Sequence, residues 1–218
     1  MKKILFYILL ILCFNLGFTK DIDGWDYVPS KIGSKYTYML NAKSGKDNIS
    51  YKLIVYIVNC QNSQKNCIEK VSFNRLNKNN ILYASDKITS TDKGVKSIED
   101  ISNSNFKYSA GIYLPKKLDF DKPIKSESNI KTKKGNIKYQ ETDKYSKVKS
   151  IEINKNIYKN CIKQYASSSS SSGIKSLSKT IYCKNIGLVQ ASNTTYLKNG
   201  SKIKSTTELV KIDYPFSK

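Results

Sequence analysis

The stretch Asn160–Cys183, NCIKQYASSSSSSGIKSLSKTIYC, carries two cysteines placed symmetrically about Ser172. Six serines, Ser167 to Ser172, and then Gly173 fill its middle. A polar, glycine-closed tract between two half-apolar flanks reads as an antiparallel hairpin. Folded there, Ile162 faces Tyr182 and Tyr158 faces Ile186 on one side of the ribbon. The two cysteines come opposite each other on the other side. Opposed residues in an antiparallel pair have Cα atoms about 4.5–5.5 Å apart, within disulfide reach. The serines then serve as a flexible, soluble turn that does not extend the sheet.

The same logic applies upstream. Cys60 and Cys67 enclose QNSQKN, an all-polar hairpin tip preceded by the β-branched and aromatic run ISYKLIVYIVN. Apart from Cys13 near the N-terminus, four cysteines remain; they allow three connectivities, and the spacings favour Cys60–Cys67 and Cys161–Cys183. Zinc ligation and thiol redox catalysis both lack a C-x-x-C pair, so no metal and no cofactor is expected.

Oxidised cysteines need an oxidising compartment, and the N-terminus supplies a route to one. Lys2 and Lys3 precede an apolar run, Ile4 to Phe14, and small residues at Gly17 and Thr19. This is the pattern of an export signal, cut after Thr19. Residues 1–19 are expected to be a cleaved signal peptide and 20–218 a single β-rich domain. The run is shorter than the roughly 20 residues of a membrane-spanning helix, and no later segment is apolar enough to span. Leu12, not a small residue, precedes Cys13, which argues against lipidation. The expected location is periplasmic or secreted.

Formal charge is +21, and +19 without Lys2 and Lys3. Arg75 is the one arginine, and histidine is absent. Base and phosphate readout favour arginine's planar fork, so specific nucleic-acid binding is not expected. A basic surface of this kind adheres to anionic headgroups and polyanions at low salt; an AT-rich coding bias also accounts for abundant lysine. The lack of histidine removes the commonest general base and metal ligand.

The remaining chain reads as strands and turns. KYTYMLNA (35–42), the run 49–59, CIEKVSFNR (67–75), NNILYAS (79–85), and the segments near 126–140, 157–165 and 187–212 all show short alternating pattern. Gly135–Asn136 offers a tight turn that sets Ile130 opposite Tyr139. Asn199–Gly200 is the strongest hairpin signal; centred there, Tyr196 meets Ile203 and Val189 meets Val210. Helical pattern is confined to 94–104, GVKSIEDISNS. The expected fold is mostly β: a single antiparallel sheet, strongly curled or a partial barrel, built of hairpins, with at most one or two short helices.

Three segments together resemble a known group. WDYVPSKIGSKYTY (25–38) resembles an opening motif Y-x-P-x-K-x-G-x-x-Y-x-Y. YLPKKLDF (113–120) and IYKNCIKQY (157–165) follow. IYCKNIGLVQ (181–190) and NGSKIKSTTELVKI (199–212) resemble a G-L-V…E-L-V ending. The order resembles poorly characterised bacterial exported proteins and lipoproteins, similar in fold to the curled sheets of periplasmic lipoprotein carriers. The resemblance implies that fold and places Trp25 and Val189 in the core; it implies no catalytic set. The chain departs from the group at Lys184–Asn185 and Asn156–Ile157–Tyr158, and in lacking a lipidation site.

Chemistry-bearing candidates are few. Paired carboxylates occur at Asp21–Asp23, which reads as a solvated tail, at Asp119–Asp121, which reads as a strand edge around Phe120, and at Glu99–Asp100. No G-x-S-x-G, phosphate loop or dinucleotide fingerprint is present. Trp25, Tyr38, Tyr56 and Phe73 either line an apolar groove or form a closed core. The expected function is a non-enzymatic exported envelope protein that binds a partner protein or an apolar or anionic envelope component. The alternatives are a hydrolase with a histidine-free Ser–Lys or carboxylate site, and a secreted adhesin or effector.

Overall fold

A computed structural model describes residues 22–61, 66–75, 81–100, 107–132 and 135–215. The leader therefore lies outside the described residues. Among the described residues, twelve strands follow one 3-10 turn, Gly24–Tyr27. They are β1 (Lys35–Ser44), β2 (Asp47–Gln61), β3 (Asn66–Arg75), β4 (Ile81–Ser90), β5 (Gly94–Asp100) and β6 (Lys107–Pro115), then β7 (Ile124–Thr132), β8 (Gly135–Ile153), β9 (Asn156–Ser170), β10 (Lys175–Cys183), β11 (Gly187–Tyr196) and β12 (Lys202–Asp213).

All twelve form one antiparallel sheet in the order β6-β5-β4-β3-β2-β1-β12-β11-β10-β9-β8-β7. The first half of the chain meanders outward from β1 to β6, the second meanders inward from β7 to β12, and β1 pairs with β12 at the centre. The sheet edges, β6 and β7, are consecutive in sequence, so the strand order would be circular if they paired. It is an open sheet, with the seam spanned by residues 116–123.

Two buried clusters explain the curl. One gathers Tyr27, Val28, Ile88, Val95, Leu114 and Leu118 from the first half with Tyr145, Ile162 and Tyr182 from the second. The other gathers Tyr36, Tyr38 and Ile57 with Ile153, Tyr158, Cys161, Ile181, Cys183, Val189 and Leu209. Ile162 and Tyr182 alternate with Cys161, Ile181 and Cys183, so the clusters occupy opposite faces of β9–β10. Burial on both faces there requires both wings to bend toward it. The tip of the β8–β9 hairpin, where Asn154 and Lys155 have φ of 50° and 65°, reaches across to β12. Asn154 Nδ2 donates to Leu209 O at 3.0 Å.

Both disulfides form as spacing predicts, Cys60–Cys67 and Cys161–Cys183. The cysteines of each pair are directly opposed, and Ile162 faces Tyr182. Several other expectations fail for identifiable reasons. The serine tract is not all loop: Ser167–Ser170 is strand, paired to β10 on one side and β8 on the other. Two flanking ladders satisfy its backbone and override a weak propensity. The turn proper is Ser171–Ile174, with Gly173 at φ +85° and Ser170 N donating to Ile174 O at 2.8 Å.

Tyr158 pairs with Ile151, not Ile186. β10 stops at Cys183, and Ile186 closes a turn through its N–H to Cys183 O at 3.0 Å. Ile130 faces Ile137 rather than Tyr139, because the β7–β8 ladder continues to Thr132 opposite Gly135. The segment 94–100 is strand β5, held between β4 and β6; residues 101–104 of the expected helix lie outside the described residues.

The last hairpin slips by one. Tyr196 pairs with Lys202 and Thr195 with Ile203. Leu197 N donates to Ser201 O at 2.9 Å, which makes Lys198-Asn199-Gly200 a three-residue loop with Gly200 at φ +82°. A one-residue slip exchanges faces. Val189 and Leu209 are accordingly buried, while Tyr196 and Val210 are exposed.

Asp23 is no solvated tail. It caps the 3-10 turn by accepting from Trp25 N at 2.9 Å and bridges to Lys117. Asp119 caps a turn instead of lying on a strand edge, accepting from Asp121 N at 2.8 Å and Lys122 N at 3.0 Å.

Candidate functional site

Of the four aromatic candidates, Trp25, Tyr38 and Tyr56 do not converge. Trp25, on the 3-10 turn, packs half-buried against the first cluster. Tyr38 is buried in the second, its hydroxyl donating to Leu188 O at 3.1 Å. Tyr56 is 41% exposed, with the Lys35 ammonium 5.7 Å from its ring centroid. The backbone at Phe73 lies in β3 opposite Leu53; its side chain lies outside the described residues. Tyr38 therefore belongs to a filled core rather than an apolar groove.

What the structure does assemble is a lysine-rich face over β8–β12. The registers place Tyr165 between Lys144 on β8 and Lys179 on β10. They place Tyr196 between Lys175 on β10 and Lys202 on β12. Between these two rows Leu177 lies opposite Ser167 and Thr194, with Lys204 beyond Thr194. Leu177 is 52%, Tyr165 48% and Tyr196 42% exposed. Lys163, two residues before Tyr165, sets its ammonium 5.6 Å from that ring. A shallow depression of about 440 Å³ runs beside Thr142, Ser167, Lys175, Leu177 and Tyr196.

The opposite face of the same strands carries no lysine at the positions facing these. It presents Gln164, Ala166 and Ser168 on β9, Ser176, Ser178 and Thr180 on β10, Asn193 and Thr195 on β11, and Ser205 and Thr207 on β12. The period of two in β9 and β10 thus puts lysine on the exposed side and uncharged side chains on the half-buried side. That segregation was readable once the serine tract was taken as strand; reading it as loop hid the face.

One acidic cluster lies on the hydroxyl side. Asp143 is 3% exposed and shares a hydrogen bond with Glu141, two residues earlier on β8. Gln164 Nε2 donates to Asp143 Oδ1 and to the Tyr145 hydroxyl, both at 3.1 Å. Burial first, and the Glu141 charge second, push the Asp143 carboxyl up to about 7. Burial also raises Glu141. Tyr145 and Tyr182 are raised by burial, then by the Asp143 charge. One proton shared between two carboxyls is the arrangement that relieves like-charge repulsion in such a place.

No protein-family profile matches the chain, and no curated protein matches its sequence. Among solved structures, a candidate lipoprotein of Parabacteroides distasonis is similar at 15% identity and a TM-score of 0.52, over 89% of this chain and 100% of that one. A candidate exported protein with a YmcC-like fold from Bacteroides fragilis is similar at 11% identity and a TM-score of 0.47, over 85% of this chain and 97% of that one. The first likeness shows that the chain shares the fold of that lipoprotein.

Proposed function

We propose that the chain is an exported, non-catalytic envelope protein that binds an anionic component of the envelope through the lysine face of β8–β12. The gathering of Lys144, Lys175, Lys179 and Lys202 around the exposed Tyr165, Leu177 and Tyr196 carries the reading. On β9 and β10 the lysines of this face stand on the outward side, and the half-buried side opposite holds hydroxyl and amide side chains. The signal-like leader, the two disulfides and the fold shared with a candidate lipoprotein support a periplasmic or secreted location after cleavage near Thr19. Leu12 before Cys13 argues against a lipid anchor.

Retention of the exported protein on immobilised heparin, eluted by salt, tests the reading. Reversing Lys163, Lys175 and Lys179 to Glu abolishes retention, while reversing Lys46, Lys149 and Lys155 leaves it nearly unchanged. Equal loss in both triple variants, which carry the same net charge, overturns the proposal.

A further inference from the structure

Charge alone does not account for the arrangement of this face. Its three exposed large side chains are set among the cations in a regular pattern. Tyr165 has a lysine directly opposite on each neighbouring strand, and so does Tyr196. Leu177 sits between Lys175 and Lys179 on its own strand, at the centre. Neighbouring strands lie about 4.8 Å apart, so β8 to β12 present a patch roughly 20 Å wide.

We infer that the anionic component is the headgroup surface of a bilayer rich in anionic phospholipid, with the lysine face turned toward it and Tyr165, Leu177 and Tyr196 entering the headgroup layer. The inference rests on the anionic-binding reading above and names its partner. Lysine ammonium groups meet lipid phosphates while their alkyl stems lie along apolar surface. Tyrosine suits the same boundary, with its ring inside and its hydroxyl in water. Leu177 discriminates between partners. It is the most exposed of the three, and it gains nothing from a hydrated acidic polysaccharide, which leaves it wet. At a headgroup boundary it leaves water and adds hydrophobic free energy to the electrostatic attraction.

Binding of the exported protein to sonicated vesicles provides the test. The probes are phosphatidylcholine alone and phosphatidylcholine mixed with phosphatidylglycerol; heparin retention runs in parallel. The expected result is binding to the mixed vesicles only, weakened about fivefold by each of Lys163→Gln, Lys175→Gln and Lys179→Gln. Leu177→Ser is expected to weaken vesicle binding about fivefold and to leave heparin retention unchanged. Leu177→Trp is expected to show blue-shifted fluorescence on mixed vesicles, above the constant signal of Trp25. Heparin retention without vesicle binding overturns the membrane inference and leaves the anionic reading standing. Vesicle binding that is indifferent to Leu177→Ser, with no fluorescence shift in the Leu177→Trp variant, also overturns it, since adhesion is then charge alone. Failure on both probes removes the inference together with the reading beneath it.

Discussion

Gly187 lies against Pro29: a Cβ built on Gly187 would stand 2.7 Å from Pro29 Cδ. Gly187 also has φ +87°. The opening motif and the G-L-V segment, which are 158 residues apart at this pair, are therefore packed face to face. The contact is reinforced nearby, where Asn185 N donates to Asp26 O at 2.8 Å and Tyr38 OH to Leu188 O at 3.1 Å. Gly187→Ala must meet both the clash and the left-handed backbone. A loss of about 2–4 kcal/mol in urea unfolding is expected. A loss below about 0.5 kcal/mol would show that the two segments do not pack as described.

The shifted register of the last hairpin separates two neighbours. Leu209 is fully buried and Val210 is exposed. Leu209→Ala is expected to cost about 2–5 kcal/mol, and Val210→Ala about 0.5 kcal/mol or less. The unshifted pairing of Val189 with Val210 predicts the reverse ranking, so thermal or urea melts of the two variants decide between them.

The disulfides differ in the loops they close. Sequence separations of 22 for Cys161–Cys183 and 7 for Cys60–Cys67 correspond to about 3 and about 2 kcal/mol of chain-entropy stabilisation. Removing the pair Cys161/Cys183 by double Ala substitution is expected to be the more damaging. Nonreducing peptide mapping should recover these two pairs, and a crossed pattern would break both ladders.

Asp143 makes stability depend on pH. Its folded carboxyl is raised to about 7, above its unfolded value, so the folded state holds the extra proton between those limits. Stability from this group is therefore full in acid and falls as pH rises toward 7 and beyond. Asn at this position keeps the acceptor for Gln164 and supplies an amide donor toward Glu141 without the charge. Asp143→Asn is expected to flatten the decline between pH 5 and 8 and to stabilise the protein at pH 8 by roughly 1–3 kcal/mol. Parallel pH-stability curves for the two proteins would remove Asp143 as the cause.

Much of the ladder was legible because it is written locally. Alternation in KYTYMLNA marks β1, and the symmetry of Cys161 and Cys183 about Ser172 sets the β9–β10 register without reference to anything distant. Where reading failed, a partner outside the segment decided. Ser167–Ser170 has no intrinsic pull toward strand, yet β8 and β10 each offer it a complete row of donors and acceptors. GVKSIEDISNS reads as one or two helical turns in isolation, and its residues 94–100 are strand between β4 and β6. The lysine face was invisible for the first of these reasons: Leu177 and Tyr196 join Tyr165 only when the serine tract continues the sheet.

Composition and spacing alone therefore established an extended, disulfide-stapled polypeptide with a signal-like leader and a strong excess of lysine, since period-two alternation and paired thiols are properties of short segments. Which side each residue occupies, how the wings bend onto opposite faces of β9–β10, and where the cations gather were decided by tertiary structure. The physical reason is that one bulge or one extra loop residue exchanges the two faces of a strand, and only packing against distant strands selects among such registers.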